Sequence, residues 1–179
     1  MAFTSDHGEA FDENHPKSHH GYSLHSVELH VPLIIQGPAQ RGATVDGLVS
    51  HADLLPTLAN LTGYEPRDVW VGESLVPVLF DGAPVEKDVV YSLYYIPEAY
   101  KRDEDPFMKI GVRTREYYYF EDLQEGKRRL VRWPEDPLDN HNLTDESGDI
   151  AEKLRYLAAK KLEWFRERER AISEETAGK

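Results

Sequence analysis

The sequence contains no cysteine, which excludes disulfides and thiolate metal sites. It has no apolar run near the roughly 18 residues needed to cross a bilayer. The opening residues do not read as a signal peptide, because Asp6, His7 and Glu9 interrupt any apolar stretch. Positive charge is scarce: 21 Lys and Arg against 33 Asp and Glu give a net charge of −12, which repels a nucleic-acid backbone. The basic runs "KRR" and "RERER" read as solvated faces. Gly-rich phosphate loops, G-x-S-x-G elbows and H-E-x-x-H helices are absent as well.

What is present suits one globular domain, or one and a small appendage: 40% of the 179 residues are hydrophobic. Ala2 to Thr4 reads as the end of a buried strand and "SDHGE" as the loop leaving it. Residues 8 to 26 carry no sustained period and predict a long surface loop. Val31 to Ile35 is a continuous apolar run closed by Gly37 and Pro38, as in a fully buried strand of a parallel sheet. Leu54, Leu55, Leu58 and Leu61 recur at helical spacing, with Ser50 or His51 near the start and Gly63 as the stop, predicting a helix from about 51 to 62. "GESLVPVLFDG" predicts a short helical turn.

Four strand-like stretches follow at 88 to 95, 108 to 114, 116 to 122 and 128 to 133, with "QEGK" as a hairpin turn. In the second, Met108, Ile110 and Val112 alternate with Lys109, Gly111 and Arg113, the period of a sheet with one wet face. Ile150, Leu154, Leu157, Leu162 and Phe165 mark an amphipathic helix from about 147 to 170, after which "SEETAGK" should fray.

Chemistry-bearing residues concentrate at the start, where six of the 8 histidines fall within the first thirty positions. Asp6 and His7 stand where the predicted strand ends, and Gly8 permits a turn that aims both at one point. Such a pair suits a divalent cation: the Asp oxygen fits Ca²⁺, Mg²⁺ or Mn²⁺ and the His nitrogen leans toward Mn²⁺ or Zn²⁺. Two ligands do not complete a site, and a solvated turn satisfies the same pattern. The spacings of His15, His19, His20, His25 and His30 match no zinc motif, although a proton-transferring His needs only proximity to the reacting centre.

Taken in order, "FTSDHGE", "HGYSLHSVELHVPLIIQGP", "VSHADLLPTLANLTG", "GESLVPVL", "GVRT" and "DPLDNHNL" resemble the C-terminal part of a sulfatase of the alkaline phosphatase superfamily, over nearly the whole chain. The resemblance implies that Asp6 and His7 ligate the active-site metal, Ca²⁺ by the family's habit with Mn²⁺ or Zn²⁺ as alternatives. It implies that His20 contacts the sulfate group or the leaving-group oxygen and serves as general acid. The family's usual Tyr and acidic residue after the Leu of that segment are His25 and Ser26 here, a departure in how the loop packs. The remaining histidines read as loop residues.

The family nucleophile is a formylglycine made from Cys or Ser in a C/S-x-P-x-R segment, and these residues contain no such segment. The resemblance therefore implies a sulfate-ester hydrolase represented by its final part, probed without its nucleophile and inactive alone. A phosphonate or phosphate ester hydrolase of the same superfamily, and a non-catalytic interaction module, are the alternatives.

The expected fold is α/β: the end of a mainly parallel alkaline-phosphatase-like sheet with helices over residues 1 to 85, then a small antiparallel sheet and the long helix over 86 to 179. A strand edge left uncovered would favour self-association, or pairing with a missing N-terminal part. The segment 96 to 107 reads as a variable substrate loop.

Overall fold

The structure is a computed structural model that describes residues 1–11, 20–21, 23–37, 42–65, 67, 69–95 and 107–177. The predicted loop at 96 to 107 thus lies almost wholly outside the described residues, as do His15 and His19. Contacts group the chain into two compact units, one of Met1–Thr4 and Pro32–Val90, the other of Ser5–Val31 and Tyr91–Lys179.

In the first unit, β1 (Ala2–Thr4) pairs with β2 (Leu33–Ile35), Phe3 standing opposite Ile34. The pairing is antiparallel and not the parallel one expected, and the ribbon is not fully buried: Phe3 is 55% and Ile34 54% exposed. A continuous apolar run reports that a strand is apolar on both faces, but three residues carry no signal of direction.

The predicted helix at 51 to 62 is present as a 3₁₀ turn, His51–Asp53, running into α2 (Leu54–Leu61). Ser50 caps it through a reciprocal box, its hydroxyl accepting from the Ala52 N–H while Asp53 accepts from the Ser50 N–H at 2.8 Å. The same carboxylate, fully buried, takes the Glu73 N–H at 2.9 Å and the Lys87 ammonium at 2.7 Å. Asp53 thereby ties the capped helix to the segment that leads into α3 (Val76–Phe80). Thr57 adds a second tie, donating to the Asp53 carbonyl at 2.5 Å and accepting from the Leu75 N–H at 2.8 Å. Gly72 is required at this crossing, since a Cβ there would lie 1.9 Å from the Ala52 carbonyl oxygen.

The second unit is built on a four-stranded sheet in the order β3 (Val90–Tyr95), β4 (Phe107–Arg113), β5 (Tyr117–Asp122) and β6 (Arg128–Arg132). All four strands fall where the residue pattern put them. The single wet face expected of β4 does not hold: Gly111 and Arg113 are buried along with Ile110 and Val112. The register places Arg113 beside Tyr118 and Val131 on one face, and Val112 beside Tyr119 and Leu130 on the other; all are buried. The Arg113 guanidinium is accommodated by stacking 4.2 Å from the Tyr118 ring centre and 4.1 Å from that of Trp133.

The long helix α4 (Gly148–Ala177) packs against β4 and β5. Its buried stripe is Ala151, Leu154, Ala158 and Leu162, with Ile150, Leu157 and Phe165 half-buried on the flank. The helix runs on to Ala177, past the end expected near 170. Glu is a good helix former and sustains the backbone without tertiary burial. Among the described residues no helix is long and apolar enough to cross a membrane.

Tyr118 and Tyr119 give this unit an alkaline limit. Burial pushes both phenols far above the ordinary range, and for Tyr119 the hydrogen bond to the Glu121 carboxylate, 2.8 Å, adds to it. The folded chain therefore keeps both protons after the unfolded chain begins to release them near pH 10. Stability is fully present below that pH and falls above it, by up to about 1.4 kcal/mol per pH unit for each phenol. Urea unfolding at pH 9 to 11 checks this; Tyr118→Phe should remove about one proton's share of the slope, and an unchanged slope would contradict it.

Candidate functional site

Asp6, His7 and His20, singled out from the sequence, lie together in the second unit. The imidazoles of His7 and His20 stack with ring centres 3.9 Å apart and planes inclined by 24°. The His7 Nδ1 faces the Gly8 carbonyl oxygen at 2.7 Å. A carbonyl only accepts, so Nδ1 carries the proton and Nε2 of the neutral ring presents its lone pair. That Nε2 lies 3.7 Å from Asp6 Oδ2. At that separation, too long for a hydrogen bond, two electron-pair donors suit a shared cation.

The electrostatics agree. Asp6 is held below the usual carboxylate range by its own backbone N–H and by the neighbouring imidazole. His7 is raised by the Gly8 carbonyl, with desolvation opposing and Asp6 reinforcing. The Asp6 side chain is 87% exposed and that of His7 41%, which leaves both open to a ligand from solvent.

His20 is oriented by a residue the sequence reading passed over. Its Nδ1 lies 2.9 Å from Glu9 Oε2. A carboxylate at neutral pH is an acceptor, so Nδ1 donates and Nε2 is left as the working atom.

Of the expected loop at 8 to 26, residues 12–19 and 22 lie outside the described residues, and 23 to 25 carry no regular structure. The segment following His20 turns into a short helix, α1 (Ser26–Leu29), with Leu24, Ser26 and Glu28 buried. His25 and Ser26, where the chain departs from the family pattern, are both anchored to Asp139. The Ser26 N–H donates to Asp139 Oδ2 at 2.6 Å, its hydroxyl to Oδ1 at 2.8 Å, and His25 Nδ1 lies 3.2 Å from Oδ2. Arg113 donates to the Ser26 hydroxyl at 2.6 Å, and the Tyr118 hydroxyl donates to the Leu24 carbonyl at 2.6 Å. Thus His25 is not a bare loop residue, and neither is His30, whose ring meets Trp133 edge-on at 4.8 Å. Arg129 of the "KRR" run is likewise more than a solvated charge, since it donates to the Asp139 carbonyl at 2.7 Å.

Among the described residues no group of three or more His, Asp or Glu is arranged to hold a metal ion. Asp6 and His7 fit a divalent cation as two of its ligands, since the His7 tautomer is the ligating one and the Asp6 carboxylate stays ionised. They supply an incomplete set.

Residues 1–64 match the sulfatase family. The chain is 37% identical over 78 residues to the uncharacterized sulfatase YidJ of Escherichia coli, which covers 44% of this chain and 16% of the relative. Over its first part the chain is thus similar to sulfatases. The solved structure of a 2-O GAG sulfatase superposes with a TM-score of 0.75 at 24% identity, over 95% of this chain and 37% of that one. A phosphonate monoester hydrolase from Silicibacter pomeroyi gives a TM-score of 0.70 at 24% identity, over 94% and 34%. These likenesses establish an alkaline-phosphatase-like fold. The chain spans about a third of each solved structure's length, and less of YidJ.

Proposed function

We propose that this sulfatase-like chain contributes the Asp6–His7 half of a divalent-metal site and the general acid His20 to the hydrolysis of sulfate esters. The observation that carries the reading is the convergence of the three side chains, with each imidazole fixed through Nδ1 and open at Nε2. Bound by Asp6 and His7, a divalent cation, Ca²⁺ first by family habit, would supply Lewis-acid polarisation of the ester oxygens. His20 would hold a proton at Nε2 for the departing alcohol, and Glu9 would keep that edge turned outward. The balanced reaction is R–O–SO₃⁻ plus water giving R–OH and hydrogen sulfate, the S–O bond to the leaving group breaking as one from water's oxygen forms.

The superfamily's fold also serves phosphonate esters, as in the Silicibacter pomeroyi structure, and a His among the metal ligands favours Mn²⁺-type chemistry. That second reading keeps the same residues in the same roles.

The 179 residues hold no Cys and no C/S-x-P-x-R segment, so they do not supply the formylglycine through which the family divides the reaction into two easier steps. The expected result is that these residues alone turn over 4-nitrophenyl sulfate barely above background. Combined with a nucleophile-bearing sulfatase segment they should support metal-dependent turnover that His20→Ala lowers by about 10²–10⁴-fold. Efficient turnover by the 179 residues alone, or a His20→Ala enzyme with unchanged kcat, would overturn the assignment. A folded, oligomeric chain whose melting temperature does not respond to Ca²⁺ or Mn²⁺ would favour an interaction module.

A further inference from the structure

Glu28 is 4% exposed, yet among the described residues no Lys, Arg or His forms an ion pair with it. A buried carboxylate without a counter-ion is costly unless hydrogen bonds compensate it. Glu28 spends its acceptors on the segment that carries the candidate acid: Oε2 takes the Gly21 N–H at 2.8 Å, and Oε1 takes the Ser23 hydroxyl. Its main chain reaches the other segment, because the Glu28 carbonyl accepts the Gly8 N–H at 2.7 Å. The approach there is close enough that a Cβ on Gly8 would lie 2.0 Å from the Val27 carbonyl oxygen. One buried residue therefore grips the chain immediately after His7 and immediately after His20, the two residues whose rings stack. None of these bonds is needed to close α1, whose own backbone bonds run from His25 and Ser26.

We propose that Glu28 is a positioning residue that holds His20 in register with the Asp6–His7 pair. It acts through the Gly21 amide and Ser23 hydroxyl by its side chain and through the Gly8 amide by its carbonyl. The inference rests on the reading of Asp6, His7 and His20 as site residues given above. Glu28 itself touches no reacting atom; it sets where the His20 ring stands, while Glu9 sets how that ring is turned.

The test uses Glu28→Ala, Glu28→Gln and Glu28→Asp in the 179-residue chain, read by NMR. Glu28→Ala should abolish the ring-to-ring contact of His7 and His20 and speed Gly21 amide exchange by about tenfold or more, while the Gly8 amide stays protected, since its acceptor is main chain. Glu28→Gln keeps an acceptor of the same length and should retain the ring contact. Glu28→Asp keeps the charge but is one methylene shorter and should lose it. If Glu28→Ala does not fold, the Gln and Asp variants decide: loss of contact in Gln with retention in Asp would overturn the proposal, as would a Glu28→Ala chain with the contact intact.

The same variants in an enzyme completed with a nucleophile-bearing segment should show kcat lowered by about 10²-fold for Ala with KM nearly unchanged, because misplacement of a catalytic group by about 1 Å costs that much. Gln should restore most of it. A His20→Ala loss without any Glu28→Ala loss would overturn the role of Glu28 alone. An unaffected His20→Ala enzyme would instead remove the reading of His20, and the ring contact would then decide the positioning claim by itself.

Discussion

Asp139→Ala is expected to destabilise the second unit by about 3–5 kcal/mol, the range for removing one partner from a buried charged network. Asp139 is fully buried and accepts three hydrogen bonds, two from Ser26 and one from His25. Without it the Ser26 N–H and hydroxyl lose their acceptor. Arg113, stacked between Tyr118 and Trp133 and already drawn down by burial, loses the carboxylate that favours its charge. Among the described residues one guanidinium nitrogen, Nη1, has no hydrogen-bond partner at the outset, so the cluster has no spare bonds with which to compensate. Asp139→Asn keeps one acceptor oxygen and should cost less, about 1–3 kcal/mol. Urea unfolding checks both variants, and an Ala variant within about 0.5 kcal/mol of the parent would show that the network contributes little.

The consequence extends to the candidate site. Residues 24 to 26 are held to the second half of the chain by Tyr118, Arg113 and Asp139, and Glu28 lies on the helix that this anchoring starts. His20 is thus placed by a chain of contacts that begins more than a hundred residues away in sequence, at Asp139. The departure of His25 and Ser26 from the family's pattern has a physical role here, since both side chains bond to the same carboxylate.

This explains which features could be read in advance. The helix beginning at His51 carries its own instructions: a Ser cap, an acidic partner three residues on, and leucines at helical spacing. The strands at 107 to 132 are rich in β-branched and aromatic residues and are separated by short turns, so their existence was legible. The direction of β2 was not, because a three-residue strand pairs either way without changing its composition. The wet face assigned to β4 failed because Arg113, charged in sequence, is covered by the segment around Ser26, a contact 87 residues distant. The α4 stripe runs through Ala151 and Ala158, whose small side chains give a weaker periodic signal than Ile150 and Leu157 on its flank.

The site divides in the same way. The Asp6–His7 pair was singled out from its residue types at a strand end and His20 through a family resemblance, whereas spacing alone offered no reason to join residues 7 and 20. Glu28 did leave a trace: it is the lone carboxylate in the largely apolar "SVELHVPLII", and a charge at such a position is buried for a reason. Glu9 left none, because one acidic residue in a polar loop is unremarkable in sequence. Asp139 carries a φ of 54°, a left-handed conformation that Asp tolerates better than most residues, and this too is visible only in the fold.

The second large effect concerns the metal. Replacing the outer partner of a metal ligand typically costs 10–100-fold in affinity, so removing a ligand itself should cost at least about 100-fold where only two are supplied. Hard cations retain water readily in the remaining positions, so the parent chain should bind weakly but at a defined place. With a net charge of −12, loose association elsewhere on the surface is expected, and location is therefore more informative than total uptake.

Mn²⁺ titration of the 179-residue chain, followed by paramagnetic broadening of its NMR signals, tests the central claim most directly. At the lowest Mn²⁺ concentrations broadening should begin at Asp6, His7 and Gly8, spread next to His20, and move to at least about 100-fold higher concentration in Asp6→Ala and His7→Ala. Broadening that begins elsewhere, for instance along the acidic residues of α4, or that is unchanged in both variants, would contradict the assignment of Asp6 and His7 as metal ligands.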